Sequence, residues 1–209
     1  MFKITRKQSS ILAIGAGIQF IILTIVAMII YPGGYSFWEN FFSHLGHTVS
    51  YNNGQPSIPS YIIFASTCTI TAVLLIPFWC ALTTKFRKTT LERYLSFIGS
   101  LLGLFSCPNL ALLSILPGNL LFEPHILTTR LFFISFAAAI LIYSIAILLN
   151  SEYENYYAIT GFIISVIILL YIFIFLYNAA FQKVTVYLLV IWGAIQGVKL
   201  LKTNKVESF

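Results

Sequence analysis

Six runs of about 20 apolar residues, separated by short polar connections, leave this chain only one kind of solvent to fold in. A helix needs about 20 mostly apolar residues to cross the ~30 Å hydrocarbon layer of a bilayer. The runs fall at about residues 10–31, 60–83, 95–117, 128–149, 157–177 and 184–201. They predict an all-α polytopic membrane protein, a bundle of six transmembrane helices forming a single domain over residues 1–209. Only 9% of the residues are charged, against about 25% in soluble domains. The basic segment before the first run resembles a signal peptide. However, Ile11 to Tyr31 is long enough to span and runs into Pro32-Gly33-Gly34 instead of a small-residue cleavage site, so an uncleaved first span is expected.

The basic residues sit at the ends of the runs and set an orientation. Lys3, Arg6, Lys7, Lys85, Arg87, Lys88, Arg93, Lys199, Lys202 and Lys205 fall on one side of six spans, and only Arg130 and Lys183 on the other. An excess of Lys and Arg marks the cytoplasmic side, so both termini are expected there. Acidic residues count little in this rule, so Glu152 and Glu154 on the basic side do not change it. The net charge of +6 is accounted for by these flanks, and no nucleic-acid partner is expected.

Several function classes lose their chemistry. The chain contains no aspartate, which excludes aspartate-dependent hydrolysis. No Glu, Lys, Arg or His lies near the middle of a run, where proton-coupled carriers place ionisable groups, and no histidine lies inside one to hold haem. Cys68, Cys80 and Cys107 all fall within runs without disulfide or zinc spacing. Pro77 and Pro108 are expected to kink the second and third spans.

The remaining chemistry gathers on the side opposite the termini. All three histidines, His44, His47 and His125, fall there with Glu39 and Glu123. Within the first outer loop, Ser36 and Glu39 have capping-box spacing and Gly46 is a stop signal. A helix over 37–45 would place Ser36, Glu39, Asn40, Ser43, His44 and His47 on one arc. Phe37, Trp38, Phe41, Phe42 and Leu45 would form the other. This predicts a short interfacial amphipathic helix.

Three readings of the patch follow. Asn40, Ser43, His44, His47, His125 and Arg130 together would suit a lipid headgroup. Glu39, His44, His47, Glu123 and His125 offer imidazole and carboxylate, the usual ligands of a divalent metal. Ser43 or a metal-bound water as nucleophile with His47 or His125 as base, and Arg130 beside a developing anion, would suit a hydrolase or transferase. Gly99-x-x-x-Gly103 and Gly193-x-x-x-Gly197 let helices approach closely. They are candidate faces for a homo-oligomer, including an oligomeric channel or facilitator with a polar path past Asn109 or Gln19.

From Tyr35 to Gly46 the chain resembles a bacterial and archaeal six-span family catalogued as a domain of unknown function. That family is similar to the damage-regulated autophagy modulators and to the membrane protein of GPI-anchor lipid remodelling. Asn40, Ser43, Leu45 and Gly46 match its loop pattern, and His44 stands where an acid is usual. A second match is the Pro117 turn followed by His125, without the acidic pair that commonly follows the proline; Glu123 comes later. The resemblance implies a six-helix bundle and a role involving membrane lipid. Membrane lipids are therefore the expected partners, and an accessory, sensor or remodelling role the expected function.

Overall fold

The computed structural model describes residues 4–202. Six helices are long and apolar enough to cross a membrane: α1 (Arg6–Ile29), α2 (Ile58–Leu82), α3 (Thr90–Ile115), α4 (Phe122–Leu149), α5 (Asn155–Phe173) and α6 (Ala179–Lys202). The chain is a multi-pass membrane protein, and the six spans among the described residues bring the start of α1 and the end of α6 to the same side. Among the described residues there is no strand, only a single bridge between Val49 and Pro56.

Most helices begin earlier than hydropathy suggests, because capping is written in polar residues. Thr5 and Gln8 form a reciprocal capping box ahead of α1, with Gln8 Oε1 accepting from the Thr5 N–H at 2.8 Å. Thr89 Oγ1 accepts from the Glu92 N–H at 3.1 Å and starts α3. Pro77 and Pro108 lie within continuous helices.

Consecutive helices pack on one another in chain order, and α6 closes the ring against α1. The end bearing residues 30–57, 116–121 and 174–178 carries all three histidines and is called here the histidine end. The opposite end, with the termini and residues 83–89 and 150–154, is the terminal end.

Small residues make the close approaches, but they make them inside the chain. A Cβ on Gly103 would lie 2.2 Å from the Trp79 ring, and one on Gly99 would lie 2.9 Å from the Tyr143 ring. A Cβ on Gly197 would meet Ile14 and the Ser10 carbonyl of α1 at 3.1 and 3.3 Å, while Gly17 receives Val190 of α6. Gly99 and Gly103 thus receive aromatic rings and Gly197 receives α1 within the chain. Gly193 opens into free space.

Ser100 Oγ donates to the Trp79 carbonyl at 2.6 Å, and Tyr143 OH donates to the Ser96 carbonyl at 3.0 Å. Such interhelical bonds contribute on the order of 0.6 kcal/mol each in a membrane, so ring packing against glycine carries more of the α2–α3–α4 contact. At the terminal end Glu152 and Glu154 have partners. Lys88 meets Glu152 at 3.1 Å and Lys199 meets Glu154 at 2.5 Å.

Candidate functional site

The connection between α1 and α2 is folded onto the bundle. Residues 37–45 do not form an amphipathic α-helix in the interface. After a turn at 37–39, only Phe42–Gly46 is helical, as a five-residue 3-10 helix. The Asn40 side chain explains the change. Its Oδ1 accepts from the Ser36 N–H at 2.8 Å and its Nδ2 donates to Asn52 Oδ1 at 2.8 Å, so residue 40 is tied back to the loop. Local bonds of this kind compete with helix. The two arcs are split as well. Phe42 and Leu45 are buried in the bundle, Asn40 and His44 are also buried, and Trp38 is 75% exposed. The Ser36–Glu39 contact survives weakly, with Ser36 Oγ accepting from the Glu39 N–H at 3.3 Å. Gly46 does end the helix, and its bare Cα lets the Phe64 ring of α2 come close.

Two residues of α6 hold this loop in place. Gln182 Oε1 accepts from the Phe42 N–H at 2.8 Å. Lys183 is completely buried, and its Nζ donates to the carbonyls of Asn40 and Ala179. The rings of Tyr35 and Phe37 lie 5.4 and 5.1 Å from the same nitrogen, within cation–π range. Tyr35 OH also donates to the Asn40 carbonyl, at 3.1 Å, and burial pushes the Tyr35 phenol up from its ordinary value. Among the described residues, no carboxylate pairs with Lys183.

The sequence reading set Lys183 outside the sixth span as an orientation charge. It missed that α6 begins at Ala179. A signal was present: Lys183, Val186, Val190 and Gly193 recur at helical spacing and form one stripe.

Beside Lys183 the histidines form a row. His44 stacks on Tyr51 at 4.3 Å, and its ring centroid is 5.0 Å from that of His47. Gly118 lies between His47 and His125: a Cβ there would meet His47 Nε2 at 3.0 Å and His125 Cδ2 at 3.3 Å. Asn119 locks the α3–α4 connection to the α1–α2 connection, accepting from the Thr48 N–H at 3.1 Å and donating to Thr48 Oγ1 at 2.9 Å.

Hydrogen-bond partners fix two tautomers. The Phe41 N–H can only donate, so His44 Nδ1 accepts it and the ring proton sits on Nε2. The Leu116 carbonyl can only accept, so His125 Nδ1 carries its proton, at 2.9 Å. Burial, then His47 and Lys183, push the His44 imidazole down to about 4; burial, then His125, push His47 down to about 4. Both are neutral near pH 7.

Not every expected site residue joins this row. Glu39 and Glu123 are exposed. Among the described residues, no group of three His, Cys, Asp or Glu side chains could hold a metal. The five-residue metal set therefore does not assemble: Glu39 and Glu123 are exposed, whereas His44 and His125 are buried. Arg130 is exposed on α4 while His125 is buried. Five residues place the two about 140° apart around the helix, so Arg130 does not face the histidines. Ser43 is half-buried, and no hydrogen bond joins it to His47 or His125.

Behind the loop lies an apolar slot of about 80 Å³, running from beneath Phe42 toward the middle of the bundle. Its wall on α2 extends from Phe64 to Leu75, about 16 Å at 1.5 Å per residue. Val186, Leu189 and Gly193 of α6 face Ala13 and Gly17 of α1 across it. The stacked rings of Trp79 and Trp192, 5.8 Å apart, pack with Phe136 near its lower end. Thr71, its main polar neighbour, is already engaged with Gln19 of α1 at 2.5 Å. Asn109 donates back to the Phe105 carbonyl at 2.8 Å and takes no part in the slot's lining.

Comparison of the chain with protein-family models, curated proteins and solved structures found no match.

Proposed function

We propose that this protein binds membrane lipid by admitting an acyl chain to the slot between α1, α2 and α6, with the lipid's polar end at the histidine end. The observation that carries this reading is the slot itself: apolar along its length, closed at the histidine end by the Phe42 ring, and bordered there by Gln182 and Lys183. A dry apolar cavity favours an apolar guest over water. The headgroup region comprises Asn40, Ser43, His44, His47 and His125, without Arg130. In this reading the histidine end faces outward and both termini are cytoplasmic, on the strength of ten basic residues against two.

The alternatives have less support. A hydrolase needs a nucleophile within hydrogen-bond reach of its base, and Ser43 has no such bond. A facilitator needs a polar path, and the slot's lining is apolar.

The test uses Gly193, where an added side chain meets nothing within 4 Å at its Cβ. Gly193→Leu fills the slot without a clash at the backbone. A photoactivatable acyl probe incorporated into vesicles should crosslink to slot residues such as Leu189 in the wild type and lose that crosslink in Gly193→Leu. Crosslinks confined to the exposed residues Ile18 and Ile22, and unchanged by the substitution, would defeat the reading.

A further inference from the structure

We infer that the slot's ligand is a single-chain amphiphile with an anionic head, a carboxylate or a phosphate, and that Lys183 is the residue that reads the charge. The inference rests on the acyl-slot reading above and adds the chemical class of the ligand.

The first ground is the charge. A completely buried ammonium needs paired charge or full hydrogen bonding to offset its desolvation. Lys183 has three donors; two are taken by the carbonyls of Asn40 and Ala179. Beyond these, the rings of Tyr35 and Phe37 lie against it and the neutral His44 is close enough to feel its charge. No carboxylate of the described residues neutralises it. An incoming anion would supply both the missing acceptor and the missing charge.

The second ground is position. Lys183 stands one turn above Val186 on the stripe of α6 that continues through Val190 and Gly193 along the slot wall. Charge and apolar channel are thus in line, as an amphiphile's head and tail are. The carbonyl that covers Lys183 belongs to Asn40, two residues before the Phe42 ring that closes the slot. Outward movement of residues 40–42 therefore uncovers the ammonium and the slot mouth together.

The third ground is size. A cavity of about 80 Å³ is roughly half of the ~150 Å³ that accommodates benzene in an engineered core. A space this narrow has no room for two chains side by side.

Competition against the acyl probe provides the test, with a medium-chain fatty acid, the alkyl phosphate of the same chain and the primary alcohol of the same chain. In the wild type, the acid or the alkyl phosphate should compete about tenfold more strongly than the alcohol, the scale of one charge-assisted hydrogen bond. Whichever of the two anions is stronger distinguishes a free fatty acid from a phosphate-headed lipid. Lys183→Met should erase the difference and Lys183→Arg should retain it. Equal competition by the alcohol in the wild type would overturn the anion inference and leave the acyl slot standing. Failure of all three to compete would overturn both. Should Lys183→Met not fold, the wild-type comparison and Lys183→Arg still decide the matter.

Discussion

The backbone N–H of Phe42 is held at 2.8 Å by the side chain of Gln182, 140 residues further along the chain. This bond sets the depth of the aromatic ring that closes the slot. Removing the acceptor leaves a buried donor without a partner, at a cost of about 1–3 kcal/mol. Gln182→Leu is therefore expected to lower the melting temperature in detergent and to speed amide hydrogen exchange at residues 41–46. The rest of α6 should keep its protection. Unchanged exchange in that segment would show that packing alone seats Phe42.

The histidine row makes stability depend on pH. His44 and His47 have folded pKa values near 4, below the unfolded value of about 6.5. The unfolded chain therefore binds more protons in the interval between them, so stability rises with pH there. The contribution is fully present above about 6.5 and is lost as pH falls toward 4. His44 faces His47, Lys183 and Tyr51, and His47 faces His125. Protonation thus adds positive charge to a region already holding a buried ammonium. Melting temperatures measured at about pH 7 and about pH 5 should fall with acid, and His44→Gln should reduce the drop. An equal drop in that variant would remove His44 from the account.

Gly103 tests the packing of the ring. A methyl there would lie 2.2 Å from Trp79 Cδ2, and overpacking of this kind costs typically about 1–3 kcal/mol. Gly103→Ala is expected to destabilise the protein without altering its oligomeric state in light scattering. A change of oligomeric state with little loss of stability would put that face at a subunit interface.

Orientation is open to direct labelling. With Cys68, Cys80 and Cys107 replaced by alanine, Gln55→Cys at the histidine end should react with an impermeant thiol reagent from outside. Thr90→Cys at the terminal end should react only after permeabilisation. Both positions are exposed. The opposite pattern would invert the topology.

The six spans were legible because a bilayer imposes length and hydropathy on each helix separately. Their starts were less so, since Thr5 and Thr89 cap them from outside the apolar runs. The outer loop was misread because a helical wheel considers one segment at a time. Asn40 bonds to Ser36 and Asn52, and Phe42 is claimed by Gln182; none of these contacts leaves a periodic trace. The histidines do converge, as their shared side implied. Glu39, Glu123 and Arg130 do not, because sharing a membrane face says nothing about which way a side chain points. Lys183 lay in plain view on a readable stripe, but counting it as a flank charge concealed it.

Closure of the ring by α6 against α1 has a consequence for biogenesis. The α1 wall of the slot, Ala13 to Phe20, is synthesised well before the opposing wall, Val186 to Gly193. Until α6 inserts, the α1 side of the slot lacks its opposing wall. Insertion of α6 is thus also the step that completes the groove.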